Sequence, residues 1–157
     1  IISKLMNKFG VKTGFNEEGI LLSKCKIDNN EVELDFRDCP DLAQTILVVA
    51  AIHKVKLKIS GVESLKIKET DRLLAMKKEL LKIGCKFYEE NNFWILDIRE
   101  NEIDDNISFD TYNDHRMAMA FAPIASIKNI YINNPEVVVK SYPNYWEDLK
   151  KVGFIIT

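Results

Sequence analysis

The sequence predicts an α/β protein built from a repeated strand–helix unit, and three observations carry that prediction. EVELDF (31–36) and VKLKIS (55–60) alternate apolar and polar residues with the period of half-buried strands. Between them LAQTILVVAAIH (42–53) is apolar nearly all round, the pattern of a helix buried on every side. KELLKIGCKF (78–87) and EDLKKVGFII (147–156) both close a helix on a lysine, an aliphatic residue and a glycine and run into a strand, so the unit recurs.

The elements follow in order. Residues 1–10 read as the tail of a helix ending at Gly10, a suitable C-terminal cap. Short strands at 12–15 and 19–24 are joined by the polar stretch Asn16–Gly19. EVELDF places Val32, Leu34 and Phe36 on one face. The all-apolar helix comes after Asp38-Cys39-Pro40-Asp41, and VKLKIS follows it. Over 71–83, Leu73, Met76, Leu80 and Ile83 form one helical stripe, Lys77, Lys78, Glu79 and Lys82 lie outside, and Gly84 ends the helix. A hairpin over 86–98 turns near Glu90-Asn91-Asn92. The second copy opens its buried helix at Asp114, with Met117, Met119, Phe121 and Ile124 spread around it. A strand at 129–134, an amphipathic helix over 144–152 and a final strand after Gly153 complete it. Two units, 31–98 and 107–157, are thus expected, preceded by the end of another at 1–30. With no low-complexity linker between them, both units should share one compact body.

Composition narrows the function classes. The chain has 157 residues, 22 Lys plus Arg against 24 Asp plus Glu, and a formal net charge of -2. That balance argues against a general nucleic-acid binder, which needs a basic surface to displace counterions. The longest apolar run, Ile46 to Ile52, is too short to span a bilayer. Cys25, Cys39 and Cys85 are far apart and make no CxxC pair, which fits buried thiols in a reducing compartment better than disulfides or a zinc site. The chain opens on IISKLMNKFG, without an initiator Met or a signal-peptide plan. Ile1 therefore reads as an internal residue, and the chain as a fragment of a longer protein.

Polar residues gather at two places in each copy. One is the start of the buried helix: Arg37 to Asp41 in the first copy, Tyr112 to Arg116 in the second. The other is the loop after the following strand: Lys66 to Arg72 and Lys140 to Tyr142. In an α/β repeat these loops share one sheet edge, where ligands sit, and helix N-termini attract anions. Arg72, Arg116, Lys68 and Lys140 would make a site for more than one phosphate or carboxylate. Asp41 and Glu69 beside them could exchange protons with a substrate. Structural roles are open for the same residues. Thr70 or Asp71 can cap helix 71–83, Lys68 and Glu69 can be a solvated charge run, and Asp114 with Arg116 can be an ion pair. His115 suits a wall position better than catalysis.

KETDRLLAM (68–76) and TYNDHRMAMAF (111–121) resemble the two signature stretches of the EPSP synthases, the 3-phosphoshikimate 1-carboxyvinyltransferases. DCPDLAQT (38–45) and VVKSYPNYWEDL (138–149) match the pattern of that family in the right order. The resemblance covers nearly all of the chain from about Glu31 onward and concerns the C-terminal part of a longer family chain. It implies a two-domain, inside-out barrel of the enolpyruvyl transferase type, made of βαβαββ units with helices inside and sheets outside. It also implies transfer of the enolpyruvyl group of phosphoenolpyruvate to the 5-hydroxyl of shikimate 3-phosphate, by addition and elimination of phosphate, with no metal or cofactor.

Residue by residue, the resemblance makes Asp41 a contact to the shikimate hydroxyls and a candidate base for the 5-hydroxyl. Lys68 would bind shikimate 3-phosphate and Glu69 would transfer protons. Arg72, Arg116 and Lys140 would surround phosphoenolpyruvate, the groups glyphosate also engages. Asp114 and His115 would line or brace the site. Ser64 stands where some members carry an Asn that touches shikimate 3-phosphate. The family's N-terminal lysine and its Ser-Ser-Gln stretch fall outside this sequence, so the chain alone is expected to be inactive. The full-length protein is expected to be a cytoplasmic monomer binding these two small molecules, with neither nucleic acid nor membrane as partner. The alternatives are the sister enolpyruvyl transferase acting on UDP-N-acetylglucosamine and a non-catalytic anion-binding module of the same fold.

Overall fold

The computed structural model describes residues 1–98 and 103–157. Helix α1 (Ile2–Asn7) precedes an antiparallel hairpin of β1 (Val11–Asn16) and β2 (Gly19–Lys24). The stretch 31–98 then runs β3 (Glu31–Asp35), α2 (Ala43–Ile52), β4 (Lys56–Ser60), α3 (Arg72–Lys82), β5 (Cys85–Glu90) and β6 (Phe93–Ile98). Its strands form one sheet in the order β3-β4-β6-β5, with β3 and β4 parallel and the other pairs antiparallel. The stretch 107–157 runs β7 (Ile107–Phe109), α4 (His115–Phe121), β8 (Ile130–Ile132) and α5 (Tyr145–Lys151), with β7 and β8 parallel.

The pattern of apolar residues explains the layering. Val32 and Leu34 of β3 are buried while Glu31, Glu33 and Asp35 are exposed, so this strand shows one face to the core. α2 buries Ala43, Gln44, Ile46, Leu47, Val48, Ala50 and Ala51, which is most of its circumference. It packs on β4 and β6 on one side and on α4 on the other. The two polar-headed helices therefore meet inside the molecule, with the sheets outward. Phe109 of β7 stacks on Phe121 of α4 at 4.5 Å between ring centroids.

Four details differ from the sequence expectation. α4 stops at Phe121 and continues as a 3-10 turn, Ala122–Ser126, because Pro123 has no N–H to carry the α-helical ladder. Residues 154–157 form no strand: the Phe154 N–H turns back to the Leu149 carbonyl at 3.1 Å and these residues pair with no described strand, whereas β5 pairs with β6. α5 buries none of its residues completely, though Tyr145 and Trp146 pack against Val137 and Val138. Glu79 is fully buried and not on the outer face of α3. It lies seven residues after Arg72, nearly two helical turns on, so both project from one face. Its burial is tolerated because hydrogen bonds occupy both carboxylate oxygens.

Gly61, just after β4, sets how β3 leads into the site. Its φ is +70°, and a Cβ there would collide with the Arg37 backbone nitrogen and the Asp35 carboxylate and lie 2.8 Å from the Arg37 Cα. The exit of β3 toward Asp41 thus passes directly over a residue that must lack a side chain. Gly61→Ala is expected to destabilise the protein by more than the ~1–2 kcal/mol that the left-handed backbone alone costs. Urea denaturation reads this directly, and an unchanged midpoint would mean that the β3 exit gives way freely.

Candidate functional site

The site forms where three segments converge. Asp41 lies in the 3-10 turn Pro40–Leu42 that leads into α2, opened by the fixed φ of Pro40. Lys68 and Glu69 come just after the turn Glu63–Ile67 and ahead of α3. Asp71 caps α3, its carboxylate accepting the Leu74 N–H at 3.0 Å, so that capping role is met whatever else the loop does. Asp114 caps α4 in the same way, accepting the Arg116 N–H at 2.8 Å.

Arg72 is the hub. Its side chain is only 2% exposed, yet it is ringed by three carboxylates. Nε donates to Asp114 Oδ2 at 2.6 Å, Nη1 to Asp41 Oδ1 at 2.8 Å and Nη2 to Glu69 Oε2 at 2.7 Å. A longer bond of 3.3 Å joins Nη2 to the other oxygen of Asp114. Asp114 is itself 0% exposed, so the Arg72–Asp114 pair forms the floor. Its burial is affordable because the guanidinium fork matches the carboxylate and every charge has partners.

The rim is half-exposed. Asp41 and Glu69 are each 39% exposed, Lys68 35% and Arg116 32%. Arg116 Nη2 lies 3.1 Å from Asp41 Oδ2, and its Nη1 donates to the Asp41 carbonyl at 3.2 Å. Lys68 Nζ lies 3.7 Å from Asp41 Oδ1. Three cations, Lys68, Arg72 and Arg116, thus meet three carboxylates, Asp41, Glu69 and Asp114, and the cluster is formally neutral. Each of the two arginines is already engaged by at least one acidic side chain.

His115, the first residue of α4, is 8% exposed, and its Nδ1 has no hydrogen-bond partner. Burial lowers its pKa below the usual imidazole value, and the opposing pull of Asp114 does not reverse this. A neutral imidazole suits a wall. Two candidates stand apart from the cluster. Lys140 is exposed just beyond the turn Pro135–Val138, which packs against α4, and it makes no ion pair among the described residues. Ser64 is exposed within the turn Glu63–Ile67, with no hydrogen bond to the cluster among the described residues. Among the described residues no three or more His, Cys, Asp or Glu side chains are grouped so that they could hold a metal ion. A separate groove beside Asn106, Ser126, Asn129 and the C-terminal residues shares nothing with this cluster and carries no charged side chain.

The fold and site together define a class: an α/β repeat protein whose two buried helices, α2 and α4, open beside one balanced cluster of acidic and basic side chains. The chain belongs to the EPSP synthase (3-phosphoshikimate 1-carboxyvinyltransferase) family, whose model matches residues 1–149. It is 43% identical over 155 residues to the 3-phosphoshikimate 1-carboxyvinyltransferase of Bacteroides fragilis, covering 97% of this chain and 38% of that one. The Clostridium novyi enzyme of the same name is 38% identical over 158 residues, covering 99% of this chain and 35% of its own. An EPSP synthase structure from Acinetobacter baumannii superposes with a TM-score of 0.72 at 19% identity, over 98% of this chain and 39% of that one. The enolpyruvyl transferase fold is therefore retained, and the chain spans well under half the length of its relatives. Among the described residues no helix is long and apolar enough to cross a membrane.

Proposed function

We propose that this chain supplies part of the active site of an enzyme that transfers the enolpyruvyl group of phosphoenolpyruvate to the 5-hydroxyl of shikimate 3-phosphate. One observation carries the proposal: KETDR and NDHRMAM, some forty residues apart in sequence, close on Asp41 through Arg72 and Arg116. The chain would form the C-terminal part of a two-domain protein, contributing the units 31–98 and 107–157 and the end of another at 1–30. The full-length enzyme would act as a cytoplasmic monomer in aromatic amino-acid biosynthesis, and glyphosate would compete at the same cations.

The chemistry fits the groups present. In the addition, the 5-hydroxyl oxygen bonds to C2 of phosphoenolpyruvate, the hydroxyl proton goes to a base, and C3 takes a proton. In the elimination, C3 gives up a proton and the C2–O bond to phosphate breaks, phosphate leaving with the electron pair. Asp41 and Glu69, half-exposed and held in place by Arg72, are the proton carriers on this chain. Lys68 and Ser64 would bind shikimate 3-phosphate. Arg72, Arg116 and Lys140 would hold the carboxylate and phosphate of phosphoenolpyruvate, with Asp114 and His115 shaping the wall.

Phosphate release by the full-length gene product, supplied with phosphoenolpyruvate and shikimate 3-phosphate, tests the proposal. Release with UDP-N-acetylglucosamine as the acceptor instead would reassign the substrate. The 157-residue chain alone is expected to be inactive. In the full-length protein, Arg116→Ala and Lys140→Ala should each raise KM for phosphoenolpyruvate by about 10- to 100-fold, the worth of a charged hydrogen bond. Unchanged KM in both would remove those two residues from the phosphoenolpyruvate site.

A further inference from the structure

α3 meets the entrance of α4 at two points, and only the first belongs to the ion-pair cluster. At the start of α3, Arg72 grips Asp114. Nearly two turns further along the same face, the Glu79 carboxylate accepts the Tyr112 hydroxyl at 2.6 Å and the Asp110 N–H at 3.1 Å. Lys82 lies 2.6 Å from the same carboxylate and 3.2 Å from that of Asp110, which also accepts the Asn133 amide at 2.7 Å. The Tyr112 phenol is raised well above its ordinary pKa by burial and by Glu79, so it remains a donor.

What Glu79 holds is unusual backbone. Tyr112 and Asn113 have φ of +53° and +57°, two consecutive left-handed residues of which neither is glycine. The turn closes through the Asp114 N–H to the Thr111 carbonyl at 2.9 Å. Such conformations persist only where the surroundings over-determine them. Glu79 ties down the residues before and within the turn, Asp110 and Tyr112. The residue that leaves the turn is Asp114, which caps α4 and clamps Arg72.

We infer that Glu79 is a positioning residue for the proposed enolpyruvyl transfer, fixing through Tyr112 and Asp110 the turn that presents Asp114 to Arg72 and to the start of α4. The inference rests on the proposed function for its kinetic consequence but not for its structural one. Glu79 is fully buried, and among the described residues its partners are Tyr112, Asp110 and Lys82, none of them in the Arg72 cluster. Its effect reaches the site through the orientation of the Arg72 guanidinium and of Arg116, whose backbone N–H Asp114 holds.

The test uses the full-length gene product. Glu79→Gln removes the charge at constant volume, and Tyr112→Phe deletes one bond while keeping the ring. Both should raise KM for phosphoenolpyruvate on the order of tenfold, with a smaller change for shikimate 3-phosphate, because misplacing a clamp weakens the ligand it orients. Leu80→Ala, on the same helix but in the core, should lower the melting temperature and leave KM unchanged. Selective 15N-arginine labelling adds a readout independent of turnover. The Arg72 Nε–H signal, protected by its 2.6 Å bond to Asp114, should shift or broaden in both turn variants but not in Leu80→Ala. If Glu79→Gln and Tyr112→Phe lose only thermal stability, with KM and the Arg72 signal unmoved, Glu79 is a brace and the inference is overturned. If the wild-type protein transfers no enolpyruvyl group, the proposed function fails, and the Arg72 signal alone decides the positioning role.

Discussion

Glu69→Ala in the full-length protein is expected to lower kcat by about 10²–10⁴-fold, the usual cost of losing a general acid or base. Binding of both substrates should change much less, because the carboxylate acts on protons that move only in the transition state. The geometry makes this a clean experiment. Glu69 is 39% exposed, and removing it leaves Arg72 still bonded to Asp41 and Asp114, so no buried charge is stranded and the fold is retained. Asp41→Ala should be as severe in kcat and worse in binding, since Lys68, Arg72 and Arg116 all converge on that carboxylate and would lose their common anchor. Steady-state kinetics of the two variants, each confirmed as folded, decide the matter. A kcat within tenfold of wild type for both would remove the two carboxylates from proton transfer, whereas a non-catalytic anion-binding module would show no turnover even as wild type.

Much of this arrangement was legible in the sequence because it is written in local patterns. The alternation in EVELDF, the all-apolar LAQTILVVAAIH and the capping Asp71 each express a local physical rule, and the elements appear where those rules put them. The polar heads of α2 and α4 likewise marked the place where Asp41, Asp114 and Arg116 gather. What stayed hidden depends on contacts between distant segments. Glu79 follows two lysines and precedes leucine, and nothing nearby says that Tyr112 and Asp110 will arrive to satisfy it. Its spacing from Arg72 was the one available signal. The neutrality of the cluster was hidden too, because charges counted along a chain do not reveal which of them will pair. Residues 154–157 have strand composition, but a strand exists only where its backbone pairs with another, and these residues pair with no described strand.

Arg72→Ala should cost the folded protein about 3–5 kcal/mol, as expected when one partner of a buried ion pair is removed. The reason lies in the difference between two ion pairs of nearly equal length. Lys151 and Asp148 approach to 2.8 Å on the surface of α5, where water takes over from either partner, so breaking that pair should matter little. Arg72 and Asp114 approach to 2.6 Å with side chains 2% and 0% exposed, and water cannot replace the lost guanidinium. Asp114 would keep only the Arg116 N–H and become a buried charge without a counter-ion. Two second variants separate this cause from lost packing. Arg72→Met restores much of the volume and should recover little stability while Asp114 remains. Adding Asp114→Asn removes the stranded charge, retains an N-cap for α4 and should recover most of the loss. Urea denaturation of the single and double variants gives the coupling between the two sites. If Arg72→Met alone restored the midpoint, packing and not charge would hold the buried base of the cluster, and Arg72 would be free to turn toward an incoming carboxylate.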